Sequence, residues 1–130
     1  MAWLLASLAY ILPTFPLGYF WHLSVFKQRY RNLEVYRERV IPPMGLASMI
    51  VQGGLFGWIY VTAIAPLGGG WLLHAAVYVL VGGGLSWSFA ALASAAKNRM
   101  TSVQEFFAIE SAFTLLQWVV VALITALVVG

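Results

Sequence analysis

The chain contains no cysteine, which excludes disulfides, thiolate metal sites and cysteine nucleophiles together. Charge is almost as scarce: 8% of residues are Asp, Glu, Lys or Arg, against about 25% in soluble domains. With 62% of its 130 residues hydrophobic, the chain reads as a single small membrane domain. Catalytic signatures are missing too. No GxSxG, HExxH, P-loop or GxGxxG occurs, and Gly82-Gly83-Gly84 falls inside an apolar run, where it serves packing rather than phosphate binding. Nothing marks the chain as an enzyme. No metal site is expected either, since no two candidate ligands share a recognised spacing. The stretch before Trp21 holds no Lys or Arg, so it lacks the charged start of a cleaved signal peptide and reads as a retained first span.

What charge there is, is concentrated. The stretch FKQRYRNLEVYRERV, residues 26–40, carries Lys27, Arg29, Arg31, Arg37 and Arg39, five of the seven basic residues, together with Glu34 and Glu38. Tyr30, Leu33, Tyr36 and Val40 recur there at helical spacing, which fits an interfacial helix on the membrane surface as well as it fits a solvated loop. On either side, the apolar runs predict four spans at about 3–25, 44–65, 71–95 and 103–129, close to the ~20 residues that cross a bilayer. Pro13 and Pro16 predict a kink in the first span. Pro42 and Pro43 open the second, where the missing N–H has no partner to lose. A turn without charge, residues 66–70, joins the second and third spans, and the loop 96–101 with Lys97 and Arg99 joins the third and fourth. Ser102 with Glu105 three residues on forms a capping box that starts the fourth span and accounts for that glutamate. Four spans put both basic loops on one side, which the positive-inside rule makes cytoplasmic. The expectation is an all-α four-helix bundle, multi-pass in a bacterial inner membrane, with both termini outside and the basic loops against anionic headgroups.

Two kinds of residue stand out within the spans. Gly53 and Gly57 form a GxxxG, and Gly82 and Gly83 put small residues in the middle of the third span, so helix backbones can approach closely there. Packing within the chain is the first expectation, and a surface for another membrane protein or a second copy the alternative. The six tryptophans divide: Trp3, Trp21 and Trp71 fall near interfaces, Trp58, Trp87 and Trp118 deeper.

The other kind is polar. Glu110 lies eight residues past Ser102, about 12 Å into the fourth span, with Thr114 and Gln117 following on the same face. Gln52 sits nine residues past Pro43, and Ser48 one turn closer to the loop. His22 precedes Lys27 by five residues, and Ser94 precedes Lys97 by three. Glu110, Gln52, Ser48, His22 and Ser94 belong to the same, cytoplasmic half of the membrane. They are expected to meet as one buried cluster of Glu110, Gln52, His22, Ser48, Ser94 and Gln117, with His22 or Lys97 as partner to the glutamate. Such a cluster serves as a proton, cation or small-ligand site, or simply as hydrogen-bond glue between helices. His22 and His74 lie near opposite faces, so they cannot be the two axial ligands of one haem. Single-histidine ligation of a haem or pigment by either is the lesser alternative to plain hydrogen bonding, and no cofactor is expected beyond lipid.

The run GYFWHLSVFKQRYRNLEVYRERVIPPMGLASMIVQGGLFGWIY, with FFAIESAFTLLQW, resembles an uncharacterised bacterial family of small four-span inner-membrane proteins. The positions that carry the resemblance are Trp21, His22, Phe26, Tyr30, Arg37, Pro42, Gly45, Gln52, Glu110 and Gln117. It implies fold and location and no activity. Two functions then stand open: an accessory or scaffold subunit of a larger membrane complex, or a small transporter or ion-conducting oligomer built on the polar cluster. The first is the leading expectation, because so little of the chain lies outside the membrane. An integral membrane enzyme comes third, since one Glu and one His can do acid–base work but nothing positions a substrate.

Overall fold

The structure, a computed structural model, describes residues 1–34 and 42–130. Among these residues there is no strand. Four helices are long and apolar enough to cross a membrane: α1 (Ala2–Val25), α3 (Pro43–Leu67), α4 (Trp71–Lys97) and α5 (Val103–Val129). A short helix, α2 (Lys27–Leu33), follows α1. The protein is an all-α, multi-pass membrane bundle. Its spans run one to two residues past the expected ends in α3 and α4, and α5 keeps the expected bounds.

Local chemistry sets these boundaries. Pro43, the first residue of α3, loses no intrahelical bond there. Ser102 caps α5 by accepting a hydrogen bond from the Glu105 N–H at 3.2 Å. Between α3 and α4 the chain turns through Gly68, Gly69 and Gly70, with φ of 72°, 84° and 90°. Three successive left-handed residues are nearly forbidden to anything but glycine, so the uncharged turn depends on that composition. His74 braces it from below, its Nε2 bonded to the Gly68 carbonyl at 2.9 Å. α1 stays helical through both Pro13 and Pro16.

Wider, π-type turns interrupt α1 at Trp21–Val25, α3 at Tyr60–Ile64, and α4 at Val79–Gly83 and Ser88–Ala93. A wide turn holds about one residue more than an α-turn, so it rotates the following side chains by about 100°.

Of the basic segment 26–40, residues 26–34 are described and fold as the short helix, while Tyr36, Arg37, Glu38, Arg39 and Val40 lie outside the described residues. α2 lies against the bundle. Its Tyr30 and Leu33 are buried with Phe106 and Ile109 of α5, and Glu34 ends it in the left-handed conformation. Thr101, from the other basic loop, holds the C-terminus of α2: its N–H donates to the Leu33 carbonyl at 3.0 Å and its hydroxyl to the Asn32 carbonyl at 2.7 Å. Arg29 reaches Glu105 at 3.4 Å across the same junction. The described part of the first basic segment and the loop 96–101 thus share one end of the bundle. At the opposite end the Tyr60 hydroxyl donates to the Gly130 carbonyl at 3.2 Å.

The expected glycine faces pack within the chain. A Cβ at Gly53 would come 2.7 Å from Ile11, and one at Gly57 2.8 Å from the Ser7 hydroxyl, so α1 and α3 touch nearly backbone to backbone. Gly82 and Gly83 receive Trp118 of α5, which is fully buried. Around that ring gather Tyr10, Tyr60, Tyr78, Val121 and Ala122, the main core. Trp87 instead donates to Ser111 at 2.9 Å, and Trp58 stays exposed.

Candidate functional site

α1 packs along α3 and α5, and α4 packs along α5. α3 and α4 meet chiefly beside their connecting turn, where Tyr60–Ile64 adjoins Trp71–Tyr78. Away from that turn the four spans enclose a cavity of about 950 Å³. Each span contributes a stripe at three- or four-residue spacing. On α1 it is Tyr10, Thr14, Gly18 and His22; on α5 it is Glu110, Phe113, Thr114 and Gln117. Ser48, Gln52 and Phe56 face it from α3, and Ser86 and Phe89 from α4. Leu55, Leu85 and Phe89 line the cavity and are also exposed, so it opens sideways between α3 and α4.

At one end of the cavity His22 of α1 and Glu110 of α5 line the wall, with α2 packed behind them. His22 Nε2 lies 2.8 Å from Glu110 Oε1, and His22 Nδ1 lies 3.1 Å from the Gly18 carbonyl. A carbonyl only accepts, so Nδ1 carries a hydrogen. The short Nε2–Oε1 contact then needs a further proton, held either as imidazolium with carboxylate or as imidazole with carboxylic acid. Either way the pair is neutral overall and stores one proton. Glu110 is buried, as an intramembrane carboxyl requires if it is to stay paired.

Tyr30 completes this end. Its phenol donates to Glu110 and accepts from the Trp21 indole N–H at 3.2 Å. Burial first, then the Glu110 charge and the hydrogen bond to it, push the Tyr30 phenol well above its ordinary 10.0, and the Trp21 bond only partly offsets this. At neutral pH Tyr30 is therefore a fixed donor to Glu110. His22 also packs edge-on against Phe113, with ring centroids 4.5 Å apart.

One helical turn or two further into the membrane lies a second network. Gln117 Nε2 donates to the Tyr10 hydroxyl and to Thr14 Oγ1, both at 3.3 Å. Tyr10 passes its own hydrogen to Gln52 Oε1 at 2.6 Å. Glu110, His22, Gln52, Ser48 and Gln117 thus all line one cavity, but not as one buried cluster. Glu110 and Gln117 are buried and His22 half-buried, whereas Gln52 and Ser48 are exposed, and the bonds fall into two networks that leave Ser48 out. Glu110 and Gln52 do not touch. Ser48 bonds back to the Gly45 carbonyl at 2.7 Å.

Two expectations need correcting. Ser94 does not join the cluster: its hydroxyl bonds to the Phe89 carbonyl of its own helix at 3.2 Å. The wide turn at Ser88–Ala93 rotates Ser94 relative to a regular helix and so takes it off the cavity face. Lys97 is exposed at the end of α4, and the partner of Glu110 is His22.

Three members of the site, Tyr30, Tyr10 and Thr14, have no place in the expected cluster. Tyr10, Thr14 and His22 do share a four-residue repeat with Gly18, and that repeat is the signal that finds the first two. Tyr30 lies outside that repeat; its signal is the helical spacing with Leu33 in segment 26–40, which marks the face of α2 that lies against α5 but not the contact with Glu110. Of the basic-loop residues, Lys27, Arg29 and Arg31 are exposed on α2, and Arg37 and Arg39 lie outside the described residues. His74 is buried at the far end of α4 beside Tyr60, remote from His22 in the fold as in the sequence. No group of three potential metal ligands gathers among the described residues.

No protein-family model matches the chain, and neither a curated protein nor a solved structure matches it.

Proposed function

We propose that this chain, in a bacterial inner membrane, takes a small molecule with an apolar body from the bilayer into its central cavity and carries it as a transporter. One observation supports this reading above the others: the hydrogen-bonded His22–Glu110 pair, held by Tyr30, lies at one end of a cavity of about 950 Å³ that opens between α3 and α4. A volume of this size suits a drug-sized ligand. Hydrogen-bond glue alone needs no space beside it, whereas here Gln52, Gln117 and Glu110 face a void.

The accessory-subunit reading, which the sequence favours, draws on the small extramembrane part of the chain. Native mass spectrometry after mild extraction separates the two. A transporter of this kind runs as a small species retaining a low-mass ligand, and Gln52→Leu with Gln117→Leu reduces that retention. Constant co-purification with a set of larger proteins, with no retained small molecule in either form, supports the accessory role instead.

A further inference from the structure

Resting on that reading of the cavity, we infer that its substrate is a lipophilic cation, an organic ammonium or phosphonium with an apolar body, and that it exchanges with the proton of the His22–Glu110 pair. Glu110 is the one acidic residue among the described lining residues, and none of them is Lys or Arg. The described Lys and Arg residues lie elsewhere, on α2, at the last residue of α4 and just beyond it. His22 is already paired with Glu110, so an anionic head would meet a carboxyl group and no unpaired positive charge.

Aromatic rings supply the second observation. Tyr10, Phe15, Tyr19, Phe56, Phe89 and Phe113 all line the cavity, one from α4 and the rest from α1, α3 and α5. Ring faces attract a desolvated cation, and they discriminate it from a neutral or anionic body of the same shape. A cavity meant only for a neutral tail needs neither the acid nor so many rings.

The third observation is the stored proton. The groups facing Glu110 are His22 from α1 and Tyr30 from α2, while α3 and α4 present the uncharged Ser48, Gln52 and Ser86. Thr114 and Gln117 follow Glu110 on α5 itself and carry no charge. Loss of the shared proton turns a His22 lone pair toward the carboxylate and leaves the site with one net negative charge. An entering monovalent cation restores neutrality, and one proton leaves to water for each cation bound. Two charges held together here would cost as much as two withheld, so the exchange is one for one.

Tetraphenylphosphonium is the test probe and tetraphenylborate its anionic counterpart of equal shape. Saturable binding is measured to the full chain in phosphatidylcholine nanodiscs, above that of empty discs. The phosphonium is expected to bind at least tenfold tighter than the borate, with affinity rising as pH rises, by up to tenfold per unit. Glu110→Gln should lower affinity at least tenfold and remove the pH dependence. Phe89→Ala, at an exposed wall position away from the pair, should lower it about fivefold while the protein unfolds at the same temperature as the native chain. The pH series on the native protein keeps the test decisive if Glu110→Gln fails to fold. Equal, saturable binding of both ions, indifferent to pH, overturns the cation inference and leaves the cavity reading standing. No saturable binding of either ion, in protein that also retains no small molecule, overturns both.

Discussion

Trp118 occupies the space that a side chain at Gly82 would need. The indole is fully buried, and a Cβ built on Gly82 would collide with its six-membered ring. Two turns along neighbouring helices are thereby fixed in register. Gly84, two residues on, has nothing near its missing Cβ. Gly82→Ala should therefore destabilise the bundle by about 1–3 kcal/mol, as overpacking does, while Gly84→Ala is neutral or slightly stabilising. Unfolding of the two variants by titration with sodium dodecyl sulfate compares them, and equal midpoints would mean that this contact does not hold α4 to α5.

Tyr30 makes a prediction about alkaline pH. Its folded phenol titrates above the ordinary value of 10.0, so the unfolded chain releases this proton first as pH rises. The stability from the buried Tyr30 is fully present below about pH 10 and is lost above it. Tyr30→Phe has no proton to lose and should show a flatter decline of stability above pH 10. Unfolding midpoints measured from pH 8 to pH 11 would show the difference, and parallel curves would place Tyr30 in water rather than on Glu110.

Gln52 and Gln117 act on each other through Tyr10, which donates to one and accepts from the other. Hydrogen bonds of this kind between spans average about 0.6 kcal/mol. A double-mutant cycle of Gln52→Leu and Gln117→Leu should give a coupling of about 0.5 kcal/mol or more, since the two share a partner. Strict additivity would break the chain of three.

The absence of cysteine makes topology easy to read. Leu67 at the Gly-rich turn and Arg99 beyond α4 are both exposed, at opposite ends of the bundle. A single cysteine at Arg99 should react with a membrane-impermeant maleimide only from the cytoplasmic side, and one at Leu67 only from outside. The reverse pattern would invert the protein and put the His22–Glu110 end at the outer face.

Hydropathy and loop charge were enough to place the four spans, because lipid demands long apolar helices and charged loops cannot enter it. Depth counting was enough to bring His22 and Glu110 to one level, since helical rise is constant. It could not say which residues at that level face each other. Ser94 counts to the right depth and faces elsewhere, because a wide turn changes rotation while leaving depth almost unaltered. Tyr30 and Tyr10 were hidden for a different reason. In a chain this aromatic, a tyrosine that donates a hydrogen bond looks like one that merely packs. The fold-back of α2 depends on Leu33, Phe106 and Thr101, three residues from distant stretches whose meeting no local pattern announces.

The pairing of His22 with Glu110 bridges 88 positions of sequence, and this separation is also an interval of time. At ordinary rates of translation the later partner follows the earlier by on the order of ten seconds. During that delay α1 and α3 can already clasp as a hairpin, since Gly53 and Gly57 meet Ile11 and Ser7 without help from later residues. Tyr10, Thr14 and His22 meanwhile lack their α5 partners. The nascent hairpin is thus a half-made intermediate with a polar stripe exposed, visible to insertion factors and membrane proteases. Only arrival of the last span closes it, so degradation of this protein should be decided during synthesis, before Glu110 is in place.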